Sequence, residues 1–278
     1  MKTPDIQRHD VTIDGHTIHY RELGEGPPCL LIHGWPTSSF LWRNVMPEIS
    51  TCRRVIAIDL PGFGESDKPQ DVLYNLEFFR TILDGFVDTV GVGEDLALGV
   101  HDLGGPVGLY WASKRTTPLQ RLVLFNTLVY PEFSWAVRAF MFASQLPGLS
   151  SLFTSQWGLG QAIKYGVHDS SRIRPDAIEG TRAPFQTRAD REVLIRTLHE
   201  FTPAEFEEIS PWLSTISHPV KIIYGARDRI LPGIGSTVER LRDDIEDTDV
   251  TRLDDCGHFL QEERPQKVGQ LAAEFLCA

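Results

Sequence analysis

The stretch Asp95-Leu96-Ala97-Leu98-Gly99-Val100-His101-Asp102-Leu103-Gly104-Gly105-Pro106-Val107-Gly108 constrains this chain more than any other. A short apolar run reads as a buried strand, and small residues then open an apolar helix that runs to about Ser113. Asp102 alone occupies the turn between them. This is the arrangement of a nucleophile elbow, where a strained strand-to-helix turn lifts one side chain above the sheet, usually the Ser of G-x-S-x-G. Here the residue is an aspartate, with Val100 two before it and Gly104 two after. A carboxylate is ionised at neutral pH and attacks carbon without a base to deprotonate it. Such a nucleophile suits an sp3 carbon bearing a leaving group and not a simple ester. The competing reading is a βα turn in which Asp102 caps the following helix by accepting its free N–H groups.

At 278 residues the chain is long enough for one large α/β domain, or for one domain carrying an insertion. Hydrophobic content of 41% and charged content of 23% support a sizeable core. The net charge of −11 argues against nucleic acid and anionic membrane surfaces as partners. A small apolar substrate is expected instead, taken by a monomer or homodimer. The four cysteines, Cys29, Cys52, Cys256 and Cys277, are scattered, with no CxxC and no Cys/His cluster. They read as small buried hydrophobes in a reducing compartment, not as disulfides or zinc ligands. No metal and no cofactor is expected. Met1 to Asp10 is polar, and no apolar run approaches membrane length, which points to a soluble cytoplasmic protein without a membrane partner.

Val11 to Tyr20 alternates around an Asp-Gly turn, a hairpin signal. Further strands are read at Cys29–His33, Arg54–Asp59, Arg121–Asn126, Val220–Tyr224 and Thr248–Leu253. Helical spacing runs from about Asn75 to Val90, with Leu76, Phe79, Ile82, Leu83 and Phe86 on one face, and Gln266 to Leu276 closes the chain. Strands alternating with helices imply an α/β fold, a mostly parallel sheet with helices on both faces. The gap from Pro131 to Trp212 is helix-like and aromatic, too long for a simple crossover. It reads as a helical cap over 131–213, inserted into a core made of 1–130 and 214–278.

An ester formed on Asp102 must be hydrolysed, and the candidate base is His258 in Asp255-Cys-Gly-His-Phe-Leu-Gln-Glu-Glu263. It follows the last strand, near the carboxyl ends of the strands, where sites of open α/β sheets form. Taken alone, a His between Gly and Phe also reads as a packed or surface residue. The candidate orienting acid is Asp228, just past the strand ending at Tyr224; its alternative is a charge in a surface turn beside Arg227 and Arg229. The order nucleophile, acid, histidine is that of α/β-hydrolases. His33-Gly-Trp-Pro36 follows the third strand, so the backbone N–H groups of Trp35 and Leu103 converge as an oxyanion hole.

With these residues placed, the chain resembles the haloalkane dehalogenases of the α/β-hydrolase superfamily over nearly its full length. The resemblance is carried by His33-Gly-Trp-Pro-Thr-Ser-Ser-Phe-Leu-Trp-Arg-Asn-Val-Met-Pro47, Asp59-Leu-Pro-Gly-Phe-Gly-Glu-Ser-Asp-Lys-Pro69, His101-Asp102 with Gly104-Gly105, and Gly257-His-Phe-Leu-Gln-Glu-Glu-Arg-Pro265. It implies the α/β-hydrolase fold with an inserted helical cap, and dehalogenation through an aspartyl ester on Asp102. The acid after Tyr224, with Asn126 after the earlier strand, resembles one dehalogenase subgroup. Two positions depart from the family. A Trp whose indole holds the halide is usual directly after the nucleophile, and here it is Leu103; many members carry Asn where Trp35 stands. Halide or substrate contacts therefore fall to Trp35, Trp135, Trp157 and Tyr165 as candidates. An epoxide hydrolase would use the same Asp102, His258 and Asp228, with cap tyrosines as acids, and only Tyr165, with Tyr130 at the edge, is on offer. A catalytically weak, ligand-binding homologue is the third reading.

Overall fold

The computed structural model describes residues 5–278, the side chains of Pro147 and Pro203 excepted, so the polar N-terminal stretch Met1 to Asp10 falls partly outside it. In chain order the elements are β1 (Gln7–Ile13), β2 (His16–Leu23), β3 (Pro28–Ile32), α1 (Met46–Ile49), β4 (Arg54–Ile58), α2 (Leu76–Val90), β5 (Ala97–Asp102), α3 (Gly104–Ser113) and β6 (Arg121–Thr127). There follow α4 (Trp135–Ser144), α5 (Pro147–Phe153), α6 (Gln156–Gly166), α7 (Pro175–Arg182), α8 (Arg188–His199), α9 (Pro203–Glu207) and α10 (Ser210–Leu213). The chain then returns through β7 (Val220–Gly225), α11 (Ile234–Asp244), β8 (Thr248–Leu253), α12 (Leu260–Glu263) and α13 (Pro265–Leu276).

The strands form one eight-stranded sheet in the order β1-β2-β4-β3-β5-β6-β7-β8. The β1–β2 and β2–β4 pairs are antiparallel, and the remaining pairs are parallel. The period of two along a strand explains why both faces are apolar. Leu30, Ile32, Ile56, Ile58, Leu98 and Val100 enter one core, while Cys29, Leu31, Val55, Ala57, Ala97 and Val123 enter the other. Asn75 caps α2, its Oδ1 accepting the Phe78 N–H at 2.9 Å. The apolar stripe read on that helix, Leu76, Phe79, Ile82, Leu83 and Phe86, is buried.

All the helices from α4 to α10 lie between β6 and β7, so the long aromatic gap is a helical insertion at the strand ends. Two side-chain clusters tie it to the segment after β3 and to α12. Arg43 bonds both Glu262 and Asp176, and Glu263 accepts the backbone N–H groups of His168, Asp169 and Gly257. No helix among the described residues is long and apolar enough to cross a membrane. One expectation is corrected. Cys52 and Cys277 are joined as a disulfide, with Cα atoms 5.8 Å apart, whereas Cys29 and Cys256 are free and buried. The two partners lie 225 positions apart in sequence, which is why scattered spacing concealed them. Since disulfides form in oxidising surroundings, the cysteines no longer argue for a reducing compartment.

Candidate active site

Asp102 ends β5 at φ +52°, in the left-handed region that a side chain rarely occupies, and α3 starts two residues later. Close packing holds the turn. A Cβ on Gly34 would strike the Asp102 side chain, one on Gly104 would come within 2.5 Å of the His33 carbonyl oxygen, and one on Gly105 would strike Thr127 Oγ1. That hydroxyl donates to the Asp102 carbonyl at 2.7 Å. The small residues around Asp102 are thus required by clearance.

The carboxylate does not cap α3 through its side chain. Its Oδ1 accepts the Trp35 N–H at 2.8 Å, and the Leu103 N–H also bonds this carboxylate. The two amides read from sequence as an oxyanion hole therefore meet at Asp102. Oδ2 lies 3.3 Å from His258 Nε2, close but not aligned as a hydrogen bond. The His258 Nδ1–H donates to Asp228 Oδ2 at 2.8 Å. Asp228 is further held by the Asn126 Nδ2–H at 2.7 Å and the N–H groups of Ile230 and Leu231, both at 2.8 Å. Asn126 itself stands at φ +27°, its Oδ1 accepting the Gly225 N–H at 2.7 Å. The backbone N–H of His258 donates to Gly166 O at 2.6 Å, so the end of α6 seats the histidine loop.

Burial would lower the His258 pKa, but the Asp228 and Asp102 carboxylates override it and push it up to about 10. Burial would raise the Asp102 pKa, yet the His258 ring and its charge hold the carboxyl below the usual carboxylate range, and the same balance holds Asp228. The free site is thus an imidazolium between two carboxylates. His101, stacked obliquely 4.7 Å from His258, is the opposite case. Burial first, then the neighbouring His258 charge, lowers its pKa to about 3, so it stays neutral and its Nε2–H donates to the His258 carbonyl at 3.0 Å.

Above the carboxylate lies a cavity of about 580 Å³. Asp102, Leu103, Phe201, Phe206 and Phe259 are among its buried members, and the half-buried Phe133, Phe140 and Phe153 add to its wall. All four candidate contacts line it: Trp35, Trp135, Trp157 and Tyr165. As halide donors they fare differently. The Trp35 indole N–H donates to Leu194 O at 3.0 Å. Trp135, Trp157 and Tyr165 are exposed at the outer end, not inside the insertion. Tyr130 does not line this cavity and donates to Asp244 at 2.6 Å. Three residues had not been read as site residues: Asn126 in its hold on Asp228, and Gln161 and Arg229 in the cavity wall. Helical spacing from Trp157 (157, 161, 165) was the available signal for Gln161.

The chain belongs to the alpha/beta hydrolase fold family, which matches residues 27–265, and it is a hydrolase of that family. A haloalkane dehalogenase of Sphingobium indicum is 29% identical over 298 aligned residues, covering 98% of this chain and 96% of the relative. The crystal structure of a haloalkane dehalogenase from Bradyrhizobium elkani superposes with a TM-score of 0.87 at 24% identity, covering 98% of each chain. A structure of an epoxide hydrolase without ligand gives 0.82 at 24% identity, again over 98% of each chain. These two structures bear out the fold; the resemblance to dehalogenases runs the length of the sequence.

Proposed function

We propose that this hydrolase cleaves the bond between an sp3 carbon and its leaving group through an ester on Asp102, with haloalkanes as the substrate class. One observation carries the reading. A carboxylate on the elbow is bonded by the backbone N–H groups of Trp35, at Oδ1, and of Leu103, and turns Oδ2 to His258 beneath an apolar cavity. Oδ2 attacks carbon, and the carbon–halogen electron pair leaves with the halide. Water then adds to Cγ and gives a proton to His258. The Trp35 and Leu103 amides hold the charge that develops on Oδ1, and collapse releases the alcohol.

Neutralising Asp102 by alkylation also removes one of the two charges that raise the His258 pKa, so the imidazolium gives its proton to solvent beside the departing halide. Neutral His258 then takes a proton from water, passes it to the leaving alkoxide and recovers the proton left on Asp102. Asp228, steadied by Asn126, keeps the ring oriented. In this reading 131–213 is a cap over a core of 1–130 and 214–278. Leu103 supplies no donor and the Trp35 indole is engaged, so leaving groups with diffuse charge, iodide and bromide, are favoured over chloride.

An epoxide hydrolase is the second reading, favoured by Tyr165 in the cavity and by the epoxide hydrolase fold match. One tyrosine in place of two ranks it lower. The test is single turnover in heavy-oxygen water on a panel of bromoalkanes, chloroalkanes and epoxides. The expected result is halide release with label in the peptide containing Asp102. Turnover with that peptide unlabelled overturns the covalent route, and diol formation without halide release replaces the first reading with the second.

A further inference from the structure

Charge is spread unevenly along the chain. Between Glu132 and Asp169 there is no aspartate or glutamate, although the chain holds 38, and Arg138 and Lys164 are the only Lys or Arg there. The same stretch builds α4 to α6, and while Leu159 and Ile163 are buried, six of its large apolar side chains face outward. Trp135 is 75% exposed, Phe142 68% and Trp157 63%, with Leu146, Leu149 and Leu152 exposed beside them. Trp135, Leu152 and Trp157 also line the cavity above Asp102, so the outer apolar surface continues into the cavity wall. Large apolar groups gathered on one exposed face mark a contact surface. Trp, Phe and Leu gathered on the outer side of helices are what interfacial helices present to lipid.

We propose that the α4–α6 face docks on a neutral lipid surface, from which the cavity takes an apolar substrate. No carboxylate on this stretch has to be desolvated when it meets acyl chains. Arg138 and Lys164 can extend their charged ends to the headgroups while their stems stay in apolar contact. The overall charge of −11 disfavours an anionic leaflet, so the partner is zwitterionic. A second copy of the chain on this face would close the outer end of the cavity, whereas lipid would supply it.

The test is flotation of the full chain with phosphatidylcholine vesicles. Wild type is expected to rise with the vesicles, less so with phosphatidylglycerol. The Phe142→Ser/Leu146→Ser/Leu149→Ser variant, altered outside the cavity lining, should lose most of the bound fraction. In wild type, total tryptophan emission, to which the exposed Trp135 and Trp157 contribute among six tryptophans, should shift to the blue and be partly quenched by brominated lipid, a readout that needs no variant to fold. Wild type left in the aqueous fraction with unchanged emission overturns the proposal. So does a folded triple variant that floats undiminished, or a wild-type dimer that the variant dissociates while neither floats.

Discussion

At the scale of single residues, His258 decides most. Its folded-state pKa of about 10 lies above the ordinary histidine value of about 6.5. The ion pairs behind that rise contribute their full stability below pH 6.5 and lose it as pH climbs through about 10. His258→Gln should therefore melt below wild type by a margin that is widest at pH 6 and narrows toward pH 10. The same variant should form the alkyl-enzyme and hold it, with turnover reduced about 10²–10⁴-fold, the usual worth of a positioned base. Intact mass with a bromoalkane reads the adduct, and an unmodified but folded variant would mean the base acts before alkylation. This residue was legible because Gly-His-Phe after the last strand fits one place in the order. The engagement of the Trp35 indole was not, because its acceptor, Leu194 O, lies 159 positions away on another element. Nor do local signals show that Glu262 and Glu263 of α12 are both buried and join the insertion, Glu262 through Arg43 and Glu263 at His168 and Asp169.

At the scale of elements, the elbow is the most tightly determined piece. The short apolar run of β5 and the small residues of α3 are local signals, and the structure places both where the sequence puts them, within two residues. What local signals cannot carry is the clearance across elements, in which Gly105 meets Thr127 of β6 and Gly34 meets Asp102. Gly105→Ala forces its new methyl onto the Thr127 hydroxyl that holds the Asp102 carbonyl. Overpacking of this kind costs about 1–3 kcal/mol, roughly 2–4 °C of melting temperature per kcal/mol in a chain of this size class. Activity should fall by more than stability does, because the turn that moves carries the nucleophile. Thermal melting beside initial rates separates the two, and a folded variant with unchanged kcat would show that the elbow tolerates displacement.

At the scale of the whole molecule, chemistry and closure sit at opposite ends of the sheet. Asp102, Asp228 and His258 follow the carboxyl ends of β5, β7 and β8, where the inserted helices meet the cavity. Cys52 precedes β4 and pairs with Cys277 after α13, so the bridge closes the amino-terminal end of the sheet against the last helix. Arg53 beside it donates to Leu276 O at 2.9 Å, a second tie at the same place. Because the bridge spans 225 positions, it restricts the unfolded chain strongly. On the chain-entropy account its loss costs about 3–5 kcal/mol. Cys277→Ser, or wild type in reductant, should therefore melt lower by on the order of 10 °C. The initial rate at 25 °C should stay unchanged, since no cavity residue touches the bridge. Scanning calorimetry with and without reductant, paired with thiol counting, checks this. Four titratable thiols in protein unfolded without reductant, with identical melting in both conditions, would mean that the two cysteines meet without bonding and that the Arg53 contact alone holds the terminus.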